Sequence, residues 1–136
     1  MRIAQPESLK LRRMLHYSEK LAMQRFNRLV GGRHPFYLDP NYNLETLCKD
    51  LQTNRAYASR FINQTLGTTF PQLLRKLRLE YAERLSASFP KMSITDVALS
   101  CGFNNITSFR RAFFDHYGCT PSEHRKTREQ EKPEAE

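Results

Sequence analysis

Apolar residues recur along this chain at steps of three and four, the spacing of helices that each bury one face. Residues that cap helix N-termini precede several of these stretches: Asn43, Thr53 or Asn54, and Asn104 or Asn105. Capping-box patterns also begin at Thr69, Ser93 and Thr120. The sequence therefore predicts an all-α chain with helices over about 8–30, 44–51, 54–66, 70–88, 94–101 and 105–117, and a last short helix from Thr120.

Two of the predicted helix pairs repeat each other. Leu47 aligns with Val97 at an offset of 50 residues, and Arg60 aligns with Arg111 at an offset of 51, so the extra residue falls in the intervening turn. A short helix, a tight turn and a second helix with one apolar and one basic side form a helix-turn-helix, whose second helix enters the DNA major groove. The chain is predicted to carry two such units.

The second helix of each unit has a predicted buried face and a predicted outer face. The periodicity turns Ala58, Phe61, Ile62 and Thr65 inward in the first, and Phe109, Ala112 and Phe113 in the second. The candidate reading faces are the opposite ones: Ala56, Ser59, Arg60 and Asn63 in the first helix, and Thr107, Arg110, Arg111 and Phe114 in the second.

A long helix is predicted between the two units. Its expected buried stripe holds Leu73, Leu74, Leu77, Tyr81, Ala82 and Leu85. Nineteen residues at about 1.5 Å each span roughly 28 Å, close to the roughly 34 Å between successive major grooves on one side of B-DNA. Such a connector can hold two reading helices about one DNA turn apart.

Composition narrows the partner and the compartment. A formal charge of +8 and a pI of about 9.7 indicate an anionic partner, either nucleic acid or a membrane surface. No apolar run approaches the roughly 18 residues needed to cross a bilayer, and no signal-peptide pattern follows the N-terminus. We expect a cytoplasmic protein of one compact domain, residues 35–126, preceded by a helix and linker (1–34) and followed by a disordered acidic tail (127–136).

Catalytic and metal chemistry find little support in the sequence. The three cysteines, Cys48, Cys101 and Cys119, form no C-x-x-C pair, and two of them lie on predicted core faces, as reduced thiols often do. The chain has no G-x-S-x-G, no H-E-x-x-H and no glycine-rich phosphate loop. We therefore expect neither an enzyme nor a bound metal or cofactor.

One set of motifs runs from the long helix to the last short helix: Arg78-Leu79 with Ala82 and Leu85, Ile94 with Val97-Ala98, Gly102-Phe103, Phe109-Arg110-Arg111-Ala112-Phe113, and Gly118-Cys119-Thr120-Pro121 with Arg125. On these motifs the sequence resembles the bacterial AraC/XylS family of transcription regulators over residues 36–126. The run Leu38-Asp39-Pro40, with Thr53-Asn54-Arg55 and Ile62-Asn63, is similar to the branch common in Bacteroidetes.

This resemblance implies a seven-helix domain that binds adjacent major-groove segments and activates transcription through RNA polymerase. It assigns base contacts to Ala56, Ser59 and Arg60 in the helix over 54–66, and to Ile106, Thr107, Arg110 and Arg111 in the helix over 105–117; Arg55 and Asn63 are added by facing alone. Phosphate contacts are expected at the helix N-termini near Thr53, Thr68, Asn105 and Thr120, and by charge at Arg75, Lys76, Lys91, Arg125 and Arg128. Arg78 is expected to brace the domain.

Other interpretations stay open at this stage. A helical protein-interaction module could use the same fold, and it would not need Arg60 or Arg111. A non-specific DNA-binding protein would share the salt dependence of a specific one, because both neutralise phosphates. The helix over 8–30 is expected either to pack onto its own domain or to pair with a second copy of the chain, and the sequence does not choose between them. No membrane partner is expected, because the apolar stripe of this helix has no Trp. The stripe holds Leu11, Met14, Leu15, Leu21, Ala22, Phe26 and Leu29.

Overall fold

A computed structural model describes residues 5–131 of the chain. Every regular element in this range is helical, as the periodicity predicts. The second and fourth helices have the predicted bounds, and Phe36–Leu38 adds one 3-10 turn. The α-helices are α1 Gln5–Gly31, α2 Leu44–Leu51, α3 Arg55–Arg60, α4 Phe70–Ser88, α5 Ile94–Ser100, α6 Ile106–Tyr117 and α7 Pro121–Glu131.

Five of the helices begin at an N-cap residue whose side chain accepts a hydrogen bond from the backbone N–H three residues later. In each case an oxygen of the capping residue accepts a hydrogen bond that the helix itself cannot supply. The predicted caps at Asn43, Ser93 and Thr120 are confirmed, and Asn54 and Asn105 are the caps where the sequence allowed two candidates. The bonds are Thr46 N to Asn43 Oδ1 (2.9 Å), Tyr57 N to Asn54 Oδ1 (2.8 Å), Asp96 N to Ser93 Oγ (3.0 Å), Ser108 N to Asn105 Oδ1 (2.8 Å) and Glu123 N to Thr120 Oγ1 (3.1 Å).

The chain divides into two compact units, and the first contains α1, α2 and α3. The ring centroid of Phe26 on α1 lies 6.1 Å from that of Phe36. It lies 5.8 Å from that of Phe61, the residue that directly follows α3. Arg25 donates from Nη1 to the carbonyl of Leu51 at 3.0 Å. The second half of α1 thus packs onto its own unit, which confirms that alternative for this half.

The first half of α1 is different. Leu9 and Leu11 are 50% and 57% exposed, although Leu11 belongs to the predicted apolar stripe, whereas Ala22 and Phe26 are buried. The predicted stripe positions Met14 and Leu15 lie outside the residues whose side chains the structure describes.

Helix α3 continues as a π-helical turn, Phe61–Thr65. Leu66 N–H donates to the carbonyl of Phe61 at 3.1 Å, a five-residue step that widens the turn. Ala58, Phe61 and Ile62 are buried as predicted, but Thr65 is exposed. The inward assignment of Thr65 is wrong because the wide turn rotates it away from the position that a 3.6-residue period predicts.

The second unit contains α4 from Pro71 onward, α5, α6, α7 and the short segment Tyr37–Pro40. Leu79 of α4 is fully buried although the predicted stripe omits it, while Leu77, Tyr81 and Leu85 are only half-buried. The core joins α4, α5 and α6 through Leu79, Ala82, Val97, Ala98, Cys101, Phe103, Phe109, Ala112 and Phe113.

Helix α7 continues to Glu131, so the expected disordered tail of 127–136 is corrected over its first part. Arg128 donates from Nη2 to Glu83 Oε2 of α4 at 2.7 Å, and His124 contacts the other oxygen of the same carboxylate. These contacts hold a charged helix with little apolar surface against α4. Residues 132–136 lie outside the described residues. None of the helices within 5–131 is long and apolar enough to cross a membrane.

Candidate nucleic-acid interface

The first candidate reading helix is held by its inner side. Asn54 caps α3, and Ala58 is fully buried on the face opposite the candidates. The preceding turn is closed by Gln52 in the left-handed conformation, with φ of 57°. On the outer face Arg55, Ala56, Arg60 and Asn63 are exposed and Ser59 is half-buried, so the predicted facing is confirmed for four of these five.

The second candidate reading helix, α6, follows the same plan. Its cap is Asn105, and Phe109 and Phe113 are buried on its inner side with ring centroids 5.7 Å apart. Thr107, Arg110 and Arg111 are exposed as predicted, and Ile106 is half-buried. Phe114 is 54% exposed on the outer face, which leaves a large aromatic side chain beside the two arginines.

The arginines of the described chain fall into two sets, and the first is engaged in the fold. Arg78 donates to two backbone carbonyls, Arg84 donates to the Tyr37 hydroxyl at 3.2 Å, and Arg125 donates to Ser86 Oγ at 3.0 Å. Burial lowers the pKa of Arg78 and raises that of Tyr37. The expected bracing role of Arg78 agrees with these contacts.

The second set is exposed and has no partner in the described chain, and four of its members lie on the candidate reading helices. Arg55, Arg60, Arg110 and Arg111 make no hydrogen bond or ion pair with any residue in the described part of the chain. Each retains the five N–H donors of its guanidinium for an external acceptor. All four lie on the second helix of a helix-turn-helix, so the structure gathers unpaired donors where a major-groove reader needs them.

Two of the residues expected to contact phosphates are engaged within the fold. Arg125 and Arg128 point into the second unit, where Ser86 and Glu83 accept their hydrogen bonds at sequence distances of 39 and 45 residues. Charge alone could not separate them from free cations. The other charge-based candidates, Arg75, Lys76 and Lys91, are exposed and have no partner among residues 5–131.

Two of the helix N-termini expected to bind phosphates, those of α6 and α7, are capped by the predicted residues. The side-chain oxygens of Asn105 and Thr120 accept hydrogen bonds within their own helices. Thr53 and Thr68 are half-buried, and Thr68 N–H donates to the carbonyl of Ile62 at 3.1 Å.

A groove of about 500 Å³ lies between α4 and α6 within the second unit. Arg75 of α4 and Arg111 of α6 both line this groove. Ser108 and Asp115 also line it, and neither was among the predicted site residues. Their helical spacing was the available signal, because residues 108, 111 and 115 are three and four apart and share a face. The remaining lining residues are Phe103, Thr107 and Ala112.

The described residues show no metal site. Across residues 5–131, no group of three or more His, Cys, Asp or Glu side chains is arranged to hold a metal ion. Cys48 and Cys101 are buried thiols and Cys119 is a half-buried one. None of the three forms a disulfide within the described residues.

Comparison with known proteins gives a family match. A family model described as "Helix-turn-helix domain" matches residues 47–127, more than half of the chain. The HTH-type transcriptional regulator GadX of Escherichia coli O6:H1 is 37% identical over 67 residues, 49% of this chain and 24% of that protein. The chain spans only 12% to 37% of the length of this and seven other curated relatives that it matches.

Solved structures show the same fold. The C-terminal domain of AraT, a response regulator from Geobacillus stearothermophilus, superposes with a TM-score of 0.67 at 28% identity, covering 79% of this chain and 84% of that one. The DNA-binding domain of AdpA, a global transcriptional factor solved with a target DNA, superposes with a TM-score of 0.65 at 20% identity, covering 87% of this chain and 97% of that one.

Proposed function

This chain belongs to the AraC family of helix-turn-helix transcription regulators, a family of DNA-binding proteins and not of enzymes, and we propose that it reads double-stranded DNA sequence-specifically through α3 and α6. The observation that carries the proposal is the set of exposed, unpaired arginines on these two helices. In this proposal the two helices occupy adjacent major-groove segments.

We assign the specific contacts by side-chain chemistry. Arg60 and Arg111 each donate two hydrogen bonds to guanine O6 and N7, a contact worth roughly 1–3 kcal/mol of discrimination. Arg55 and Arg110 reach a base edge or a flanking phosphate. The shorter side chains at the interface make permissive or apolar contacts; they are Ala56, Ser59, Asn63, Ile106 and Thr107.

Selection of bound duplexes from a random DNA pool at near-physiological salt tests this proposal. We expect an enriched motif of two boxes about 10 base pairs apart. Arg60→Ala should relax one box and Arg111→Ala the other. Arg33→Ala is the matched control, because Arg33 is exposed, has no partner among the described residues and lies outside both reading helices.

The outcomes separate the remaining interpretations. Recovery of the pool without a preferred sequence would leave non-specific binding and overturn the assignment of Arg60 and Arg111 to base edges. An unchanged motif in both variants would show that other side chains read the bases. Far-ultraviolet circular dichroism of each variant shows whether the helices remain folded.

We also propose that the protein activates transcription by contacting RNA polymerase, and that it acts in the bacterial cytoplasm, where its DNA target lies. Membership of a family of bacterial transcription regulators supports both the proposed activation and the proposed location. Transcription in vitro from a promoter carrying the selected motif, with purified bacterial RNA polymerase, should rise when the protein is added. A fall in transcript would identify a repressor instead.

A second copy of the chain is a further proposed partner, through residues 8–30. The structure limits the available surface to the first half of α1, because Ala22 and Phe26 lie in the core of their own unit. Leu9 and Leu11 are the exposed apolar candidates. Sedimentation of the whole chain should show a dimer that Leu9→Gln with Leu11→Gln dissociates; a monomer at all concentrations would end the pairing proposal. Deleting residues 1–33 is not a clean test, since it removes Phe26.

A further inference from the structure

We propose that Arg75 of α4 holds a DNA backbone phosphate in the groove that it shares with α6, while Arg111 in the same groove reads a base. This inference rests on the proposed function, since it adds a contact from a helix outside both helix-turn-helix units. The groove is lined by Arg75, Phe103, Thr107, Ser108, Arg111, Ala112 and Asp115.

The lining has the chemistry that a phosphodiester needs. The Arg75 guanidinium is exposed and has no hydrogen-bond or ion-pair partner within residues 5–131. Ser108 contributes a hydroxyl group on the first turn of α6. A guanidinium binds phosphate oxygens through two parallel N–H donors, and hydroxyls add further hydrogen bonds, so these groups together suit one phosphate.

The charges in the groove favour an anion. Arg75 and Arg111 bring two positive charges and Asp115 one negative charge, so the formal charge of the lining is positive. A positively charged groove suits a phosphodiester of the DNA backbone.

The helix positions decide which arginine takes the phosphate. Asp115 follows Arg111 by four residues on α6, so the two side chains are neighbours on the helix surface. The carboxylate weakens the attraction of a phosphate to Arg111 and leaves that guanidinium for an uncharged base edge. Arg75 stands on a different helix and does not share this neighbour by helical spacing.

Binding of the selected duplex, and of a scrambled duplex of equal length, tests the inference over a series of salt concentrations. Arg75→Ala should weaken binding to both duplexes by a similar factor, about tenfold, and reduce the salt slope by about 1. Arg75→Lys should retain the slope because it retains the charge. Lys126→Ala is the control, since Lys126 is exposed in the same unit, carries the same charge and does not line the groove.

Duplexes with one neutral methylphosphonate linkage identify the phosphate. Neutralising the linkage that Arg75 contacts should weaken the wild type by about the factor that Arg75→Ala does, and should not weaken Arg75→Ala further. The inference is overturned if Arg75→Ala matches Lys126→Ala, if it relaxes preference at one base pair, or if every linkage weakens wild type and variant equally.

Two further results have distinct meanings. A free phosphate ion has the same chemistry as the backbone, so Arg75-dependent binding of inorganic phosphate without DNA would reassign the groove to a small anion and overturn the DNA contact. If the wild type selects no sequence, the proposed function fails while the methylphosphonate comparison on any bound duplex still decides the role of Arg75.

Discussion

The guanidinium of Arg78 binds the backbone of Tyr37, a residue 41 positions earlier in the chain: Arg78 Nε donates a hydrogen bond to the Tyr37 carbonyl oxygen at 2.7 Å. Nη2 donates to the carbonyl of Asp39 at 3.0 Å, and the guanidinium carbon lies 5.9 Å from the centroid of the Phe103 ring. The arginine thus ties the segment Tyr37–Pro40 to α4 and to the turn between α5 and α6 within the second unit.

Gly102 completes this arrangement because no larger residue fits. A Cβ at this position would stand 2.4 Å from the Tyr37 carbonyl oxygen and 2.7 Å from Arg78 Nε, and φ is +97°. We expect Gly102→Ala to destabilise the protein by about 3 kcal/mol or more, combining backbone strain with the clash. The free energy of unfolding in urea measures this.

Two other glycines separate strain from clash. Gly118 has φ of +76° with open space around it, so Gly118→Ala should cost about 1 kcal/mol from strain alone. Gly31 has neither a left-handed φ nor a neighbour, so Gly31→Ala should be close to neutral. Equal losses at Gly102 and Gly118 would show that the Tyr37 carbonyl is not the obstacle.

A substitution at Gln52 should raise the free energy of unfolding, whereas those at Gly102 and Gly118 should lower it. It is the one non-glycine residue with positive φ in the described chain, at 57°, and its side chain is exposed. Gln52→Gly should raise the free energy of unfolding by about 0.5–1 kcal/mol, since glycine adopts the left-handed conformation without strain. The same substitution at the exposed helical Gln64 should lower it by a similar amount, and a loss at both positions would contradict the assigned turn conformation.

Glu83 is expected to hold α7 in place. Its carboxylate contacts both Arg128 and His124, and its side chain is 27% exposed. Glu83→Gln should destabilise the protein by about 1–2 kcal/mol and increase amide hydrogen exchange in α7, because two charge-assisted contacts are weakened. Glu129→Gln, on an exposed residue of α7 without a partner in the described chain, is the control; equal exchange in both variants would remove the anchoring role of Glu83.

The buried thiol of Cys101 should make the free energy of unfolding fall at alkaline pH. Burial raises the pKa of its thiol from 9.0 to about 12. Below pH 9 the thiol is protonated in both states, and as the pH rises toward 12 only the unfolded chain releases the proton, so stability falls. Between pH 8 and pH 10 the wild type should lose about 1 kcal/mol more than Cys101→Ala. Parallel losses in urea unfolding at the two pH values would show that the thiol is not responsible.

The helices and their caps were predictable from the sequence because they depend on short-range interactions. A capping oxygen bonds a backbone N–H three residues away, and a buried face repeats every three or four residues. Local reasoning failed at Thr65, where the π-helical turn after Arg60 changes the period. It also omitted Leu79, which is buried by other helices of the second unit.

The outward facing of Arg60, Arg110 and Arg111 was likewise predictable, since it is the complement of an apolar face on the same helix. Their role as base readers remains a prediction. The sorting of the other arginines was not predictable. Arg128 meets Glu83 at a separation of 45 residues, and no local pattern distinguishes it from Arg75, which is exposed and unpaired within residues 5–131.

The sequence by itself determined the all-α class, most helix boundaries, the repeated helix-turn-helix and the family, because periodicity, caps and motif spacing are properties of contiguous residues. Only the tertiary structure decided that α1 packs through Phe26 onto its own unit, that Arg128 serves the fold, and that Arg75 shares a groove with Arg111. The physical reason is that burial and charge pairing depend on which helix faces meet, and residues distant in sequence set those meetings.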